Sequence, residues 1–190
     1  MPLYLADSSI WIGARRHPTS YLPELLADRL RSDEIATCIP VALEVLVGPP
    51  TAAALDQDWR MVWSNLLWLP VGQAEMERAR DLLFELAGTT AGAHRRPATD
   101  YIIAACAESF GAVTVWHWDR DLRVICDHAG IPHEAEHERA KRTDSTPSHA
   151  SRALSARVEG RQREAVPGLA SDTVSYISCV FGNIVCYDQV

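Results

Sequence analysis

Apolar and polar positions along this chain switch between two spacings. Nearly unbroken apolar runs at residues 3–6, 34–39, 67–71 and 112–116 predict short buried strands. Between them the apolar residues recur every three or four positions. Leu22, Leu25, Leu26 and Leu30 share a helical face, so residues 21–30 are predicted helix. Residues 41–47 continue as helix after Pro40 until Gly48-Pro49-Pro50 stops them. Residues 51–67 keep helical spacing, with Trp59 and Trp63 four apart, and residues 73–86 place Met76, Ala79, Leu82, Leu83 and Leu86 on one side. Pro97 opens a helix carrying Ile103, Ala104 and Ala107, and a last helix starts at Arg120 and ends near Gly130-Ile131-Pro132. A short helix through Ile10, Trp11 and Ile12, capped by Ser8 or Ser9, is predicted after the first strand. Strands alternating with helices argue for a three-layer α/β/α domain with a mainly parallel sheet.

The pattern stops near Glu138. The sequence therefore predicts a domain over residues 1–138 and a C-terminal extension over 139–190. Residues 141–155, rich in Ser, Thr, Arg and Lys, read as disordered. Residues 174–187 (VSYISCVFGNIVCY) are apolar again and read as a hairpin around Gly182-Asn183 or as a partner-binding segment. No chemistry emerges from the extension, and trimming near Ala140 is expected to leave a folded, active domain.

Composition narrows the class. The 190 residues suffice for one domain with a substantial core. A formal net charge of -7 argues against a protein that coats nucleic acid, but not against a nuclease whose acids hold metal. The five cysteines are odd in number and form no C-x-x-C pair, which favours a reduced, cytoplasmic protein. No secretory signal or membrane-length apolar run is expected.

Candidate chemistry lies in four acids. Asp7 and Asp119 stand where predicted strands end, and Glu44 and Asp100 each follow a proline into the first turns of a helix. Ligands of open α/β sheets bind beyond the carboxyl ends of the strands. All four acids would therefore converge on one edge. Singly, Asp7 also reads as a helix cap and Glu44 as a solvent-facing position. Together they offer hard oxygen ligands suited to Mg²⁺ or Mn²⁺, hence in-line hydrolysis of a phosphodiester by metal-activated water. Competing signals are weaker. There is no G-x-x-x-x-G-K-[ST], G-x-G-x-x-G or H-E-x-x-H. His133-Glu134-Ala135-Glu136-His137 has its acid misplaced for zinc and a loop-like context, and His128 and His133 read as surface residues. Ser8-Ser9 lacks the setting of a nucleophile. Trp59, Trp63 and Trp68 read as core or contact residues more readily than as a base-stacking platform.

Three stretches carry a family resemblance: LADSSIWI near the start, ALEVLVG, and RPATDYIIAACAESFGAVTVWHWDRDLRVI. In order, spacing and context they resemble PIN-domain ribonucleases, specifically VapC toxins of bacterial toxin–antitoxin pairs, over roughly residues 1–137. The resemblance implies a compact α/β/α fold and a Mg²⁺-dependent endoribonuclease, with Mn²⁺ able to substitute. It also implies a homodimer inhibited by a small VapB-like antitoxin. It assigns Asp7, Glu44, Asp100 and Asp119 as the catalytic metal-binding acids and Asp121 as an auxiliary ligand or helix-start residue. Arg96 is read as contacting RNA phosphate or pairing with a site acid, and Ser8 as touching a ligand water or capping its helix. The alternatives are a catalytically silent module that binds antitoxin or RNA, and a PIN-type nuclease that is not a toxin. The extension departs from the family pattern.

Overall fold

A computed structural model describes residues 2–136. Five parallel strands form one sheet in the order β3-β2-β1-β4-β5: β1 Tyr4–Ala6, β2 Ile35–Thr37, β3 Leu67–Trp68, β4 Thr114–His117 and β5 His133–Ala135. Seven α-helices accompany them among the described residues: α1 Ser8–Arg16, α2 Leu22–Arg31, α3 Ile39–Leu46, α4 Ala52–Met61, α5 Gln73–Ala87, α6 Ala98–Phe110 and α7 Arg120–Ala129. The expected α/β architecture with a parallel sheet is the one observed. The predicted extension, with its hairpin, lies outside the described residues.

The central strands read as near-continuous apolar runs because the sheet is buried on both faces. Leu5, Ala6, Ala36, Val115 and Trp116 have no exposed surface, and a buried large apolar side chain contributes on the order of 1.5–3 kcal/mol. Small residues let the layers close. Ala104, Ala105 and Ala107 of α6 are buried, and this helix packs on α5, α7, α3 and β4. Gly130 ends α7 in a left-handed conformation (φ 68°), the usual C-terminal stop of a helix.

The chain runs outward from β1 to β2 and β3, then returns to the other side of β1 as β4 and β5. The winding direction reverses between β1 and β4. A crevice opens at such a switch point, beyond the strands' carboxyl ends. Asp7 follows β1 there, and Asp119 lies two residues after β4.

Four local expectations need correction. Asp7, not a serine, caps α1, because its carboxylate accepts from the Ser9 N–H at 3.0 Å. Pro97 stands at the cap of α6 rather than inside its first turn. The helix predicted over 51–67 ends at Met61, and Trp63–Asn65 is a 3₁₀ turn that drives Trp63 into the core against Trp11, with ring centroids 4.8 Å apart. Finally, residues 133–135 form β5 instead of a loop. His133 is half-buried, and its Nδ1 lies 3.1 Å from Nε2 of the buried His117. His128 is exposed as expected.

Candidate metal centre

Each acid reaches the switch point from a different element. Asp7 leaves β1 and caps α1. Its N–H donates to the Trp116 carbonyl at 2.9 Å, so it is stitched to β4. Ser9 Oγ donates to Asp7 Oδ2 at 2.5 Å and accepts from the Trp118 N–H at 2.9 Å. Glu44 lies in α3, and its Oε2 accepts from the Ser8 hydroxyl at 2.5 Å, tying α3 to α1. Asp119 caps α7, its Oδ1 accepting from the Asp121 N–H at 2.6 Å. Asp121 in turn pairs with Arg96.

Asp100 differs from the others. It sits in the first turn of α6, buried, and its Oδ2 has no hydrogen-bond partner. Burial raises its pKa first, then the charges of Asp7, Asp119, Glu44 and Asp121, in that order, to about 8. Asp7 is also raised, chiefly by burial, with Glu44 adding to the effect against hydrogen bonds from Ser9 and Ser8. The structure thus brings Asp7, Glu44, Asp100, Asp119 and Asp121 into one electrostatic cluster.

The donor set fits a hard divalent cation. It is made of carboxylate oxygens, with no thiolate or imidazole among them. As the side chains lie, no three His, Cys, Asp or Glu groups among the described residues close to metal-holding distance. Ser8, Ser9 and the Asp121 N–H instead occupy oxygens of Glu44, Asp7 and Asp119. The orphaned Asp100 oxygen is where the protein has supplied no counterpart, and a cation would satisfy it.

The same topology can be compared with known families. The family model for the PIN domain matches residues 4–127. The chain belongs to the PIN domain family. PIN domains are generally nucleases that use divalent metal ions, so the PIN match and the all-oxygen donor set agree on a metal-dependent nuclease. A comparison with curated proteins finds no match. No helix among the described residues is long and apolar enough to cross a membrane.

Two neighbours of the PIN acids escaped the sequence reading. From sequence Ser9 reads only as a helix cap, yet it bridges Asp7 and the Trp118 backbone; an Asp followed by two serines is the available signal. Trp118, directly before Asp119, lies half-buried against Gly13, where an added Cβ would sit 3.3 Å from its ring. Arg96, read as a phosphate or acid contact, spends its guanidinium on Asp121 and is largely buried.

Proposed function

We propose that this PIN domain is the toxin of a VapC-type toxin–antitoxin pair, a Mg²⁺-dependent endoribonuclease in which Mn²⁺ substitutes. The observation that carries the nuclease part is Asp100: a buried carboxylate with an orphaned oxygen, among four other carboxylates. Such a group is costly without a cation and has a use with one. Asp7, Glu44, Asp100 and Asp119 would hold the metal, with Asp121 auxiliary. The bound ion supplies a polarised water at neutral pH and positive charge facing the scissile phosphate.

The chain's own residues then have defined tasks. Ser8 orients Glu44, and Ser9 fixes Asp7 relative to the end of β4. Asp119 and Asp121 stand at the N-terminus of α7, Asp119 as its cap and Asp121 in its first turn. Arg96 restrains Asp121. The VapC-like motifs LADSSIWI and ALEVLVG support the toxin reading, as does the PIN match. A small antitoxin would mask the acids with an arginine, since a guanidinium matches carboxylate geometry. A homodimer is proposed on the same resemblance.

The test is incubation of the purified protein, freed of antitoxin, with total RNA in Mg²⁺ or Mn²⁺, beside Asp100→Asn. Discrete fragments from the wild type alone, abolished by EDTA, are expected. Intact RNA in both metals, from folded protein, would overturn the endoribonuclease assignment. Growth arrest on expression, relieved by a neighbouring small gene, tests the toxin part separately.

A further inference from the structure

The described domain is acidic, with eleven arginines against nineteen carboxylates over residues 2–136. Eight of those arginines pair with acids: Arg15, Arg29, Arg31, Arg60, Arg78, Arg80, Arg96 and Arg123. Among the described residues only Arg16, Arg95 and Arg120 have no ion-pair partner, and all three are exposed. Their positions are not scattered. Arg120 follows Asp119 directly. Arg95 precedes Arg96, which holds Asp121. Arg16 precedes His17, whose ring lies 6.2 Å from that of Trp118. Each unpaired cation is therefore a sequence neighbour of a residue of the acid cluster or of its rim. In a domain that neutralises its other arginines, cations left open beside an acid cluster are placed for an external anion.

Trp118 supplies the second half of the argument. Its backbone N–H donates to Ser9 Oγ, and Ser9 Oγ donates to Asp7, so the chain at Trp118 is tied to Asp7. Gly13 lets the ring lie against α1, with Leu22 beside it. The indole N–H makes no hydrogen bond among the described residues, and the side chain is only half-buried. A half-buried aromatic side chain thus leaves the chain one residue before Asp119, lies over Gly13 near the His17 ring, and keeps its indole N–H unspent.

We propose that Trp118 is the base-stacking residue of the substrate site, with Arg120, Arg95 and Arg16 gripping the phosphates that flank the stacked nucleotide. This rests on the ribonuclease reading and adds positioning residues that the acids do not supply. Stacking on an aromatic face requires an unpaired base and tolerates any base, with larger rings favoured. Phosphate contacts add affinity that falls with salt. The substrate is then a single-stranded RNA segment bound with a purine against Trp118.

Binding is measured on Asp100→Asn protein in Mg²⁺, by anisotropy of labelled octaadenylate and octauridylate across a salt series. Octaadenylate is expected to bind at least threefold tighter. Trp118→Leu, which still fills the space over Gly13, should weaken octaadenylate about tenfold and erase the preference, while Trp118→Phe keeps it. Arg120→Ala should weaken both oligomers and lower the salt slope by about 0.7. Unchanged binding and preference in folded Trp118→Leu would overturn the stacking role, and an unchanged salt slope in Arg120→Ala the phosphate grip. Cleavage by the wild-type protein separates the two levels. Metal-dependent cleavage with Trp118→Leu indistinguishable from wild type sinks this inference alone; no cleavage and no oligomer binding by wild type sinks the ribonuclease reading with it.

Discussion

The Ser8 hydroxyl donates to Glu44 Oε2 at 2.5 Å, across 36 residues of sequence. This bond joins the first turn of α1 to α3 and sets one acid of the cluster against the helix capped by another, Asp7. Ser8→Ala should free Glu44 to rotate into solvent, where a helix-surface glutamate loses side-chain entropy on each metal encounter. Divalent-cation affinity, measured by calorimetry with Mn²⁺, is expected to fall about threefold to tenfold, corresponding to the roughly 1 kcal/mol of such a hydrogen bond. Thermal stability without metal should change little. Unaltered Mn²⁺ affinity would remove Ser8 from the site.

Asp100 makes stability depend on pH in a direction opposite to that of an ordinary salt-bridged carboxylate. Its folded pKa is about 8, against 3.8 for the free side chain. Between those values the folded state binds the extra proton, so stability falls as pH rises from about 4 to about 8. Asp100→Asn abolishes this contribution. The metal-free variant should therefore melt above wild type at pH 8, by about 5 °C or more, and the gap should close towards pH 4. Mg²⁺ should raise the melting temperature of wild type at pH 8 and leave the variant nearly unmoved. A gap that does not shrink on acidification would mean that Asp100 is not the group responsible.

The parts of this site legible in sequence are those set by local rules. A carboxylate just past an apolar run or one turn into a helix after a proline can be placed from neighbours alone, so Asp7, Glu44, Asp100 and Asp119 could all be found. β5 could not. Its residues His133, Glu134 and Ala135 show no apolar alternation, because its partners are polar and distant. Glu134 pairs with Arg29 and the neighbouring Glu136 bonds Tyr21 and Trp116. Trp59 and Trp63 looked equivalent by spacing, yet Trp59 is exposed and Trp63 buried. The helix ends between them, and the turn of residues 63–65 sends the two rings in different directions. Ser9 and Trp118 meet across 109 residues, which no local pattern records.

Arg96 is the internal counter-ion of the cluster. Its side chain is 17% exposed, its Nε is buried without a partner, and its Nη1 pairs with Asp121. Arg96→Met should leave Asp121 as a further uncompensated negative charge near Asp100. The metal-free domain is expected to lose about 1 kcal/mol, the upper range for a partly exposed pair, with more of that loss at low salt. A divalent cation should recover a larger share of stability in the variant than in wild type. Equal recovery in both proteins, followed by thermal melting with and without Mg²⁺, would show that Arg96 does not balance the acids.

Arg29 tests whether the scaffold can be weakened without touching the centre. Its guanidinium lies 3.6 Å from the Tyr4 ring centroid and 4.1 Å from that of Trp116, and bonds both oxygens of Glu134 at 3.0 and 3.1 Å. This buried cation fastens α2 to β1, β4 and β5 at once. Arg29→Met keeps the aliphatic stem but removes both cation–π contacts and the ion pair with Glu134. Urea unfolding should show a loss of about 2–4 kcal/mol. Mn²⁺ affinity, measured well below the unfolding transition, should stay within about twofold of wild type, because no acid of the cluster touches Arg29. A matching collapse of metal affinity would mean that β4 transmits strain from this sandwich to Asp119, and that the strand order, not only the acids, sets the geometry of the centre.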